Sequence, residues 1–500
     1  MKKWLLATAS LAALTPCVVQ AACEDPPTGY ATNPNERVIG TPDCEEGVDC
    51  PYEPTGLDWQ DGELIDDLDT DDQIIMASKY DSIPGVVEVD GRMDVWGNYL
   101  DDIWVSEADG TNLRRITDAA YSYNHIIVSP DRKLIIANRY SKGNLTGDYD
   151  DKNENETQDA HEGIVDYLDF HEAVIIDIDN NRMTPIAFVS GTELDAGHGG
   201  MAVGAVDGSG NMPVYLASKS TTYSWRYEIY KVQLTKQAST SAPYTISDAV
   251  PITTNLLTKL GYTSPYGDTS TQWVSDTEVS KDGNYLAFLF IGPEMLNTGA
   301  NHSTWKARIA YAKIDHANNR IDKAAIVSTG GVATGHNQSG QIWGDYDPDI
   351  APGNGWVTFQ RHNDNGAFEG GYFQNGDIIR VMTPFLPAHW ASWTPDTYYA
   401  NLSSADPSDD QCDSTNTVLH GIPSWSEGGG TCVIHSSWAV DCEECDAESH
   451  ARIVNPWETN PSGEHPGYDV TGLDDKAVHH VQWIPSNLSS GVDLCPTDEE

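Results

Sequence analysis

The 500-residue chain is poor in positive charge. It carries 28 Lys and Arg against 76 Asp and Glu, a formal net charge of −48 at pH 7. Nucleic-acid binding depends on Lys and Arg that neutralise phosphates, and attraction to an anionic membrane surface depends on the same side chains. The deficit therefore excludes nucleic acid as a partner and disfavours an anionic membrane surface.

Long apolar runs are missing beyond the N-terminus. The run Trp4 to Leu14 follows Lys2 and Lys3 and precedes Ala21, the order of basic region, short apolar region and small residue in a secretory signal. No later stretch of the sequence approaches the roughly 20 apolar residues of a membrane span. The sequence predicts a signal peptide at residues 1–21 and a secreted protein, periplasmic or extracellular, without a membrane span.

Several specific catalytic motifs are also missing. The sequence contains no Gly-x-Ser-x-Gly elbow, no Gly-x-Gly-x-x-Gly before a helix, no phosphate-binding loop and no haem-attachment motif. His161-Glu162 and His171-Glu172 lack the following histidine of a zinc protease. These absences argue against hydrolase-elbow, dinucleotide, P-loop, haem and zincin chemistry.

Cysteine is scarce, but its number and placement are informative. Loss of the signal peptide would leave eight cysteines, an even number that predicts disulfides in an oxidising compartment. Three stand in an N-terminal segment, 22–73, and five near the C-terminus, so full pairing requires a bridge between the two ends of the chain. A metal site at Cys442 and Cys445 is the alternative, without a second such pair to support it. The eight are Cys23, Cys44, Cys50, Cys412, Cys432, Cys442, Cys445 and Cys495.

The chain does contain a repeated strand–turn–strand pattern. Residues 102–106 are followed by an Asp109-Gly110 turn and a second short strand. The turn Ser-Pro-Asp-Arg at 129–132 has counterparts near 205, 280, 351 and 426, at intervals of 71 to 76 residues, and each precedes a short apolar strand. Repeats of strands without helical periodicity favour an all-β fold and, among repeat folds, a β-propeller.

The run Asp102 to Thr117, followed by Ser129-Pro130-Asp131, resembles the TolB-type, WD40-like propeller repeat. The resemblance covers residues 74–490 in outline and implies a propeller domain at 74–500. The turn positions predict six blades, with the strand His480–Pro485 returning to complete the first blade and close the ring. Seven blades stay open as an alternative, because residues 385–416 are long enough to hide strands. Blades two to six are expected to start near His125, Met201, Asp276, Asp347 and Ile422.

An acidic insertion at 141–171 interrupts the repeat. Its oxygen side chains have the spacing of an EF-hand-like Ca²⁺ loop, although Glu156 stands where such loops need glycine. A plain acidic surface loop is the alternative. The spacing predicts structural Ca²⁺ bound by Asp151, Asn153, Asn155, Thr157, Asp159 and Glu162.

Loops that enter the innermost strands and leave the second strands of a propeller meet on one face. In this chain they bring histidines and basic residues together, beside the hairpin Thr221–Tyr227. Either these bases pair with nearby acids, or the face binds an anionic ligand, and Trp and Tyr there suit sugar rings. The candidate catalytic residues are His125 as base with His198 in reserve, Arg139 and Arg226 to neutralise a carboxylate, and Tyr140 or Tyr223 as acid.

Two functions follow from this face. β-Elimination at a uronate needs a group that neutralises the carboxylate, a base and an acid, and these residue types supply all three. The scaffold is similar to that of propeller lyases acting on ulvan and oligogalacturonate. The sequence therefore predicts a secreted, monomeric lyase whose substrate is an acidic, uronate-containing polysaccharide, sulfated or not. The alternative is a non-enzymatic TolB-like propeller that binds a protein or envelope partner.

Overall fold

The structure is a computed structural model, and the ranges below are the part of the chain that it describes. Residues 1–59 and most of the insertion 141–171 lie outside it, so the signal peptide, the segment boundaries and the Ca²⁺ ligands stay predictions. Among the described residues no helix is long and apolar enough to cross a membrane. The described ranges are 60–61, 64, 66–78, 102–117, 121–141, 171–186, 200–220, 222–223, 226–238, 244–247, 249–296, 306–330, 343–362, 376–385, 393–403, 417–426, 432–440, 449–459, 465, 467–470 and 478–485.

Strands dominate the described residues, as predicted for an all-β protein. Two one-turn helices accompany them, α1 (Leu256–Lys259) and α2 (Pro293–Leu296). The strands are β1 (Gln60–Asp61), β2 (Ile74–Ser78), β3 (Asp102–Ser106), β4 (Arg114–Arg115), β5 (Tyr121–Val128), β6 (Leu134–Ser141), β7 (His171–Asp177), β8 (Arg182–Pro185), β9 (Ala202–Val203), β10 (Met212–Lys219), β11 (Tyr227–Lys236), β12 (Tyr244–Ile246), β13 (Val250–Pro251), β14 (Trp273–Val279), β15 (Tyr285–Ile291), β16 (Lys306–Asp315), β17 (Arg320–Ile326), β18 (Trp343–Ile350), β19 (Trp356–His362), β20 (Gly376–Met382), β21 (Ala400–Asn401), β22 (Thr417–Trp425), β23 (Val433–Val440), β24 (Ser449–Val454), β25 (Gly467–Asp469) and β26 (Val478–Trp483).

The described strands are arranged in antiparallel units that follow one another along the chain. Consecutive strands pair within β5–β8, β9–β12, β14–β17, β18–β21 and β22–β25, with β1 added to β8 and β13 to β11. The first unit is the exception, because β26 pairs with β2 ahead of β3 and β4. Ile74 lies opposite Trp483 and Met76 opposite Val481. The prediction that the C-terminal strand joins the first unit is confirmed.

Apolar side chains fill the space between successive units. Ile75 and Val105 of the first unit pack with Ile135 and Val174 of the second. Similar buried clusters lie between each later pair of units, and one joins the β22–β25 unit to the first unit through β2 and β26. Sheets that pack face to face in sequence around an axis form a β-propeller.

The turn that ends an innermost strand is built in the same way in different units. Ser280 Oγ donates to Asp282 at 2.7 Å and accepts from the Tyr285 N–H at 2.9 Å. Ser129 Oγ likewise donates to Asp131 at 2.7 Å and accepts from the Leu134 N–H at 3.0 Å. This end of the innermost strands is called the turn end below. The repeated Ser-x-Asp sequence therefore encodes a local turn that starts the second strand.

Candidate functional site

The innermost strands β5, β14, β18 and β22 are each bulged near their middle, where the register with the second strand shifts. At each bulge one residue other than glycine adopts left-handed backbone. The φ angles are 45° at His125, 46° at Asp276, 45° at Asp347 and 53° at Ile422. Left-handed backbone is strained for residues with a Cβ, and bulges re-aim side chains, often beside functional sites.

The bulges border a cavity of about 120 Å³ enclosed by the innermost strands. It is called the axial pocket here. Toward the turn end it is also lined by Lys281, Pro352 and Trp425. Every unit contributes to its wall, through His125, Gly200, Asp276, Asp347, Ile422 and Gln482. A pocket to which all units contribute can bring together side chains that lie far apart in the sequence.

Two carboxyl groups on neighbouring strands face the axial pocket. Burial raises the pKa of Asp347 to about 7. Burial and the adjacent Asp347 charge raise the pKa of Asp276 well above its ordinary value, against hydrogen bonds from the backbone N–H groups of Gly200 and Asp347. Two acids in such a site cannot both ionise without strong repulsion. The pair therefore holds a proton near neutral pH.

An imidazole pair lies next to the acids. The ring centroids of His125 on β5 and His480 on β26 are 4.6 Å apart, with the ring planes tilted by 54°. Gly200 separates the two pairs, since a Cβ built on it would lie 3.6 Å from His125 Nδ1 while its N–H bonds to Asp276. The buried Thr277 hydroxyl, also at the pocket wall, has no hydrogen-bond partner in the described structure. The axial pocket thus has one imidazole that can accept a proton, His125, beside an acid pair that holds one.

Arg226, predicted to neutralise a substrate carboxylate, is engaged elsewhere. Its side chain is fully buried and its Nε lies 2.9 Å from Glu228 Oε1. Its Nη2 donates to the carbonyls of Thr253 and Thr254 at 3.1 and 3.0 Å. The Arg226 N–H donates to the carbonyl of Tyr223 at 3.0 Å, and neither of these residues lines the axial pocket. Arg226 therefore anchors its hairpin in this structure.

Arg361 shows the same pairing of base and acid. Its guanidinium holds Asp345 through two bonds of 2.7 and 3.0 Å and reaches Asp396 at 3.1 Å. These carboxylates raise the pKa of Arg361, while burial opposes them. Arg226 and Arg361 therefore both pair with nearby acids. This is the alternative in which the bases of this face bind the protein's own carboxylates.

The remaining predicted residues are located only in part. Arg139 and Tyr140 lie on β6, opposite Tyr123 and Ser122, but their side chains are outside the described structure. His198 and the six predicted Ca²⁺ ligands are outside it entirely. Within the described ranges, no group of three or more His, Cys, Asp or Glu side chains is placed to hold a metal ion. Cys432 is buried and disulfide-bonded, while the other cysteines lie outside the described residues.

The acid pair is not predicted from the sequence. The repeat places Asp276 and Asp347 at the entrances of innermost strands, together with His125, without indicating a chemical role for them. What could have identified them is their position, because both occupy the same place in the repeat as His125. The bulge places all three within the strands, with β5 beginning at Tyr121 and β18 at Trp343.

Comparison with known proteins yields structural likeness only. No protein-family model and no curated protein matches the chain. TolB from Acinetobacter baumannii is similar at 11% identity and a TM-score of 0.41, covering 83% of this chain and 67% of that chain. Levansucrase from Bacillus subtilis has 10% identity, a TM-score of 0.34 and coverage of 71% and 87%. An exo-1,5-alpha-L-arabinanase from a bovine ruminal metagenomic library has 9% identity, a TM-score of 0.34 and coverage of 70% and 98%. At these values the likeness carries no argument about chemistry.

Proposed function

We propose that the protein is a secreted lyase that cleaves a uronate-containing polysaccharide by β-elimination in the axial pocket. The observation that carries the proposal is that His125, on a strained bulge, opens into the same pocket as an acid pair that holds a proton near neutral pH. Strain kept at a site is typical of functional positions. Titratable groups with perturbed pKa values in a pocket are typical of active sites.

The scaffold of this proposal is a closed ring of six blades. It is supported by the buried clusters between successive units and by the cluster that joins the last unit to the first. The antiparallel pairing of β26 with β2 supports it as well, since it joins the C-terminal strand to the first unit.

The first requirement of the reaction is neutralisation of the uronate carboxylate. In the proposed mechanism a protonated carboxyl of the Asp276–Asp347 pair donates a hydrogen bond to it. A buried acid kept neutral near pH 7 is a suitable donor to developing negative charge. This role was assigned to Arg139 and Arg226 from the sequence, but Arg226 is bound to Glu228. In this mechanism a neutral carboxyl, and not a cation, is the group that contacts the carboxylate of the sugar.

The second requirement is movement of protons. His125 takes the proton from the carbon next to the uronate carboxylate, and the electron pair forms a carbon–carbon double bond as the glycosidic oxygen leaves. That oxygen receives a proton from an acid, for which Tyr140 stays the candidate, because Tyr223 does not line the axial pocket. His480 orients the His125 ring by direct contact. General acid–base steps of this kind contribute about 10²- to 10⁴-fold each.

The test is incubation of the protein with polygalacturonate, alginate, ulvan and neutral arabinan. Ultraviolet absorbance of the unsaturated uronyl end and release of reducing ends are both followed. Elimination raises both signals with an acidic polymer, and His125→Ala, shown to be folded, abolishes them. Reducing ends without absorbance would make the protein a hydrolase and reject the lyase. Full activity of His125→Ala would reject His125 as the base.

A binding protein without catalysis is the second candidate. The ion pairs of Arg226 and Arg361 count against catalysis at this face, because these two cations are bound to the protein's own acids and not to a substrate carboxylate. No signal from any polymer, together with saturable binding of a protein or envelope component, would establish this alternative.

A further inference from the structure

A second group of aromatic side chains lies outside the axial pocket. The guanidinium of Arg380 is sandwiched between two tryptophans, 4.7 Å from the ring centroid of Trp356 and 4.5 Å from that of Trp457. Tyr398 lies beside Trp356 with centroids 6.4 Å apart. Trp457 is 46% exposed and Tyr398 69%. We call Trp356, Arg380, Tyr398 and Trp457 the aromatic patch.

The aromatic patch joins two units at the turn end of the strands. Trp356 is the first residue of β19, directly after the turn that follows β18, and Trp457 follows β24. The Trp457 ring also contacts Trp425, the last residue of β22, at 5.7 Å between centroids. Because Trp425 lines the axial pocket, the patch lies next to the turn end of that pocket.

Arg380, at the centre of the aromatic patch, differs from other arginines of the chain in its partners. Arg114, Arg308 and Arg361 each lie within ion-pair distance of a carboxylate. Arg380 has no carboxylate partner among the described residues, and burial alone lowers its pKa to about 10. Its Nη1 donates to the carbonyl of Pro456, while its buried Nε has no hydrogen-bond partner in the described structure.

An exposed aromatic surface around a cation fits a particular ligand chemistry. Exposed apolar patches mark interaction sites, and flat aromatic rings provide rigid contact area for the apolar face of a sugar ring. A guanidinium matches a carboxylate in shape and charge. An acidic sugar presents both features at once, whereas a neutral sugar would leave the Arg380 cation unmatched.

We propose that the aromatic patch is an auxiliary binding site for an acidic sugar unit, with its ring on Trp457 and Tyr398 and its carboxylate toward Arg380. The inference rests on the proposed function for its polymer class, but it concerns binding away from the reacting groups. Two sites on one polymer chain raise its effective concentration at the axial pocket. Long substrates gain from the patch, and short ones that cannot span both sites do not.

The experiment measures retention of the full chain on immobilised polygalacturonate, with dextran as the neutral polymer. Trp457→Ala and Arg380→Gln are the test variants. Arg320→Gln is the charge control, because Arg320 is exposed and paired with Asp315, and Val250→Ala controls for loss of an exposed apolar side chain. Affinity is expected to fall about tenfold in each test variant and to stay unchanged in both controls. Turnover of a short oligogalacturonate is expected to stay unchanged in Trp457→Ala.

Four results would overturn the inference: no retention of the unmodified protein, unchanged retention of both test variants, equal loss in Arg320→Gln, or equal retention on dextran. Sedimentation tests whether a second copy of the chain occupies the patch. A dimer of the unmodified protein that dissociates in Trp457→Ala would show this and overturn the inference. Failure of the catalytic proposal remains distinguishable, because His125→Ala leaves the aromatic patch intact. If the unmodified protein is retained on polygalacturonate but neither it nor any variant turns the polymer over, the auxiliary binding site is supported and the lyase is rejected.

Discussion

The two ends of the innermost strands follow different rules. At the turn end the same residue type has the same role in different units. The hydroxyls of Ser129, Ser280 and Ser426 each accept a backbone N–H at the start of the second strand or one residue before it. At the bulge the backbone repeats but the side chains do not. The same left-handed position holds His125, Asp276, Asp347 and Ile422. Side chains are thus repeated where the turn depends on them, and differ where they face the axial pocket.

Truncation of one bulge side chain is expected to have a large effect on activity. Asp347→Ala is expected to lower kcat/KM on polygalacturonate about 100-fold, since it removes a hydrogen-bond donor to developing charge. Ile422→Ala, at the equivalent position of another unit, is the matched control and is expected to change kcat/KM by less than about threefold. Equal losses in the two variants would mean that the bulge matters for its shape alone.

The bulge position of Asp347 is also expected to determine how activity and stability depend on pH. Activity is expected to fall as pH rises through about 7, where Asp347 loses its proton. The folded pKa lies above the ordinary 3.8, so the folded state binds more protons, and the free energy of unfolding decreases as pH rises from about 4 to about 7. Asp347→Asn keeps a neutral donor without titrating. It is expected to retain activity above pH 7 and to flatten the pH dependence of stability relative to the unmodified protein, measured by urea unfolding. An unchanged alkaline limb in this variant would exclude Asp347 as the titrating group.

At the turn end, a substitution is expected to act on stability alone. Ser280→Ala removes the hydroxyl that accepts from the Tyr285 N–H and donates to Asp282. The cost is about 2 kcal/mol of unfolding free energy, because a partly buried N–H loses its partner. Urea unfolding measures it, and kcat/KM is expected to stay unchanged. A large fall in kcat/KM at unchanged stability would show that the turn end also takes part in catalysis.

The backbone of the same turn is expected to contribute less to stability than the Ser280 hydroxyl. Gly283 has a φ of 72°, and a Cβ there would meet Ala205 at an ordinary 3.5 Å. Gly283→Ala is therefore expected to destabilise the protein by about 1 kcal/mol through backbone strain alone. Gly208→Ala is the control, since a Cβ there meets nothing within 4 Å and its backbone is not left-handed. Equal urea midpoints for both variants would contradict the expectation that a left-handed backbone at residue 283 is strained by a Cβ.

The sequence predicted those parts of the fold that depend on local patterns. Turns at Ser129 and Ser280, the position of the innermost strands and the pairing of the C-terminal strand with Ile74–Ser78 all follow from the repeat. The bulged innermost strands nevertheless begin earlier than predicted, at Tyr121 instead of near His125, for example. A bulge interrupts the two-residue alternation by which a strand is recognised, so only the part after the bulge was visible.

The candidate site was less predictable, because burial and pairing decide it. The charge of Arg226 is matched by Glu228, two residues on, and this spacing places both side chains on one face of an extended segment. That signal could have identified the ion pair. The acid pair could not be identified in this way, because the elevated pKa of Asp347 comes from burial that only the packed strands create.

The pairing of β26 with β2 also has a consequence for biosynthesis. The strands that meet there, Ile74 opposite Trp483, are separated by nearly the whole length of the chain. A contact between such distant segments forms late, because the entropy of closing a long loop must be overcome first. Until the ribosome has released residue 483, β2 lacks its inner neighbour and presents an unpaired edge that other chains can join. This edge is therefore the place where self-association of the nascent protein would start during this interval.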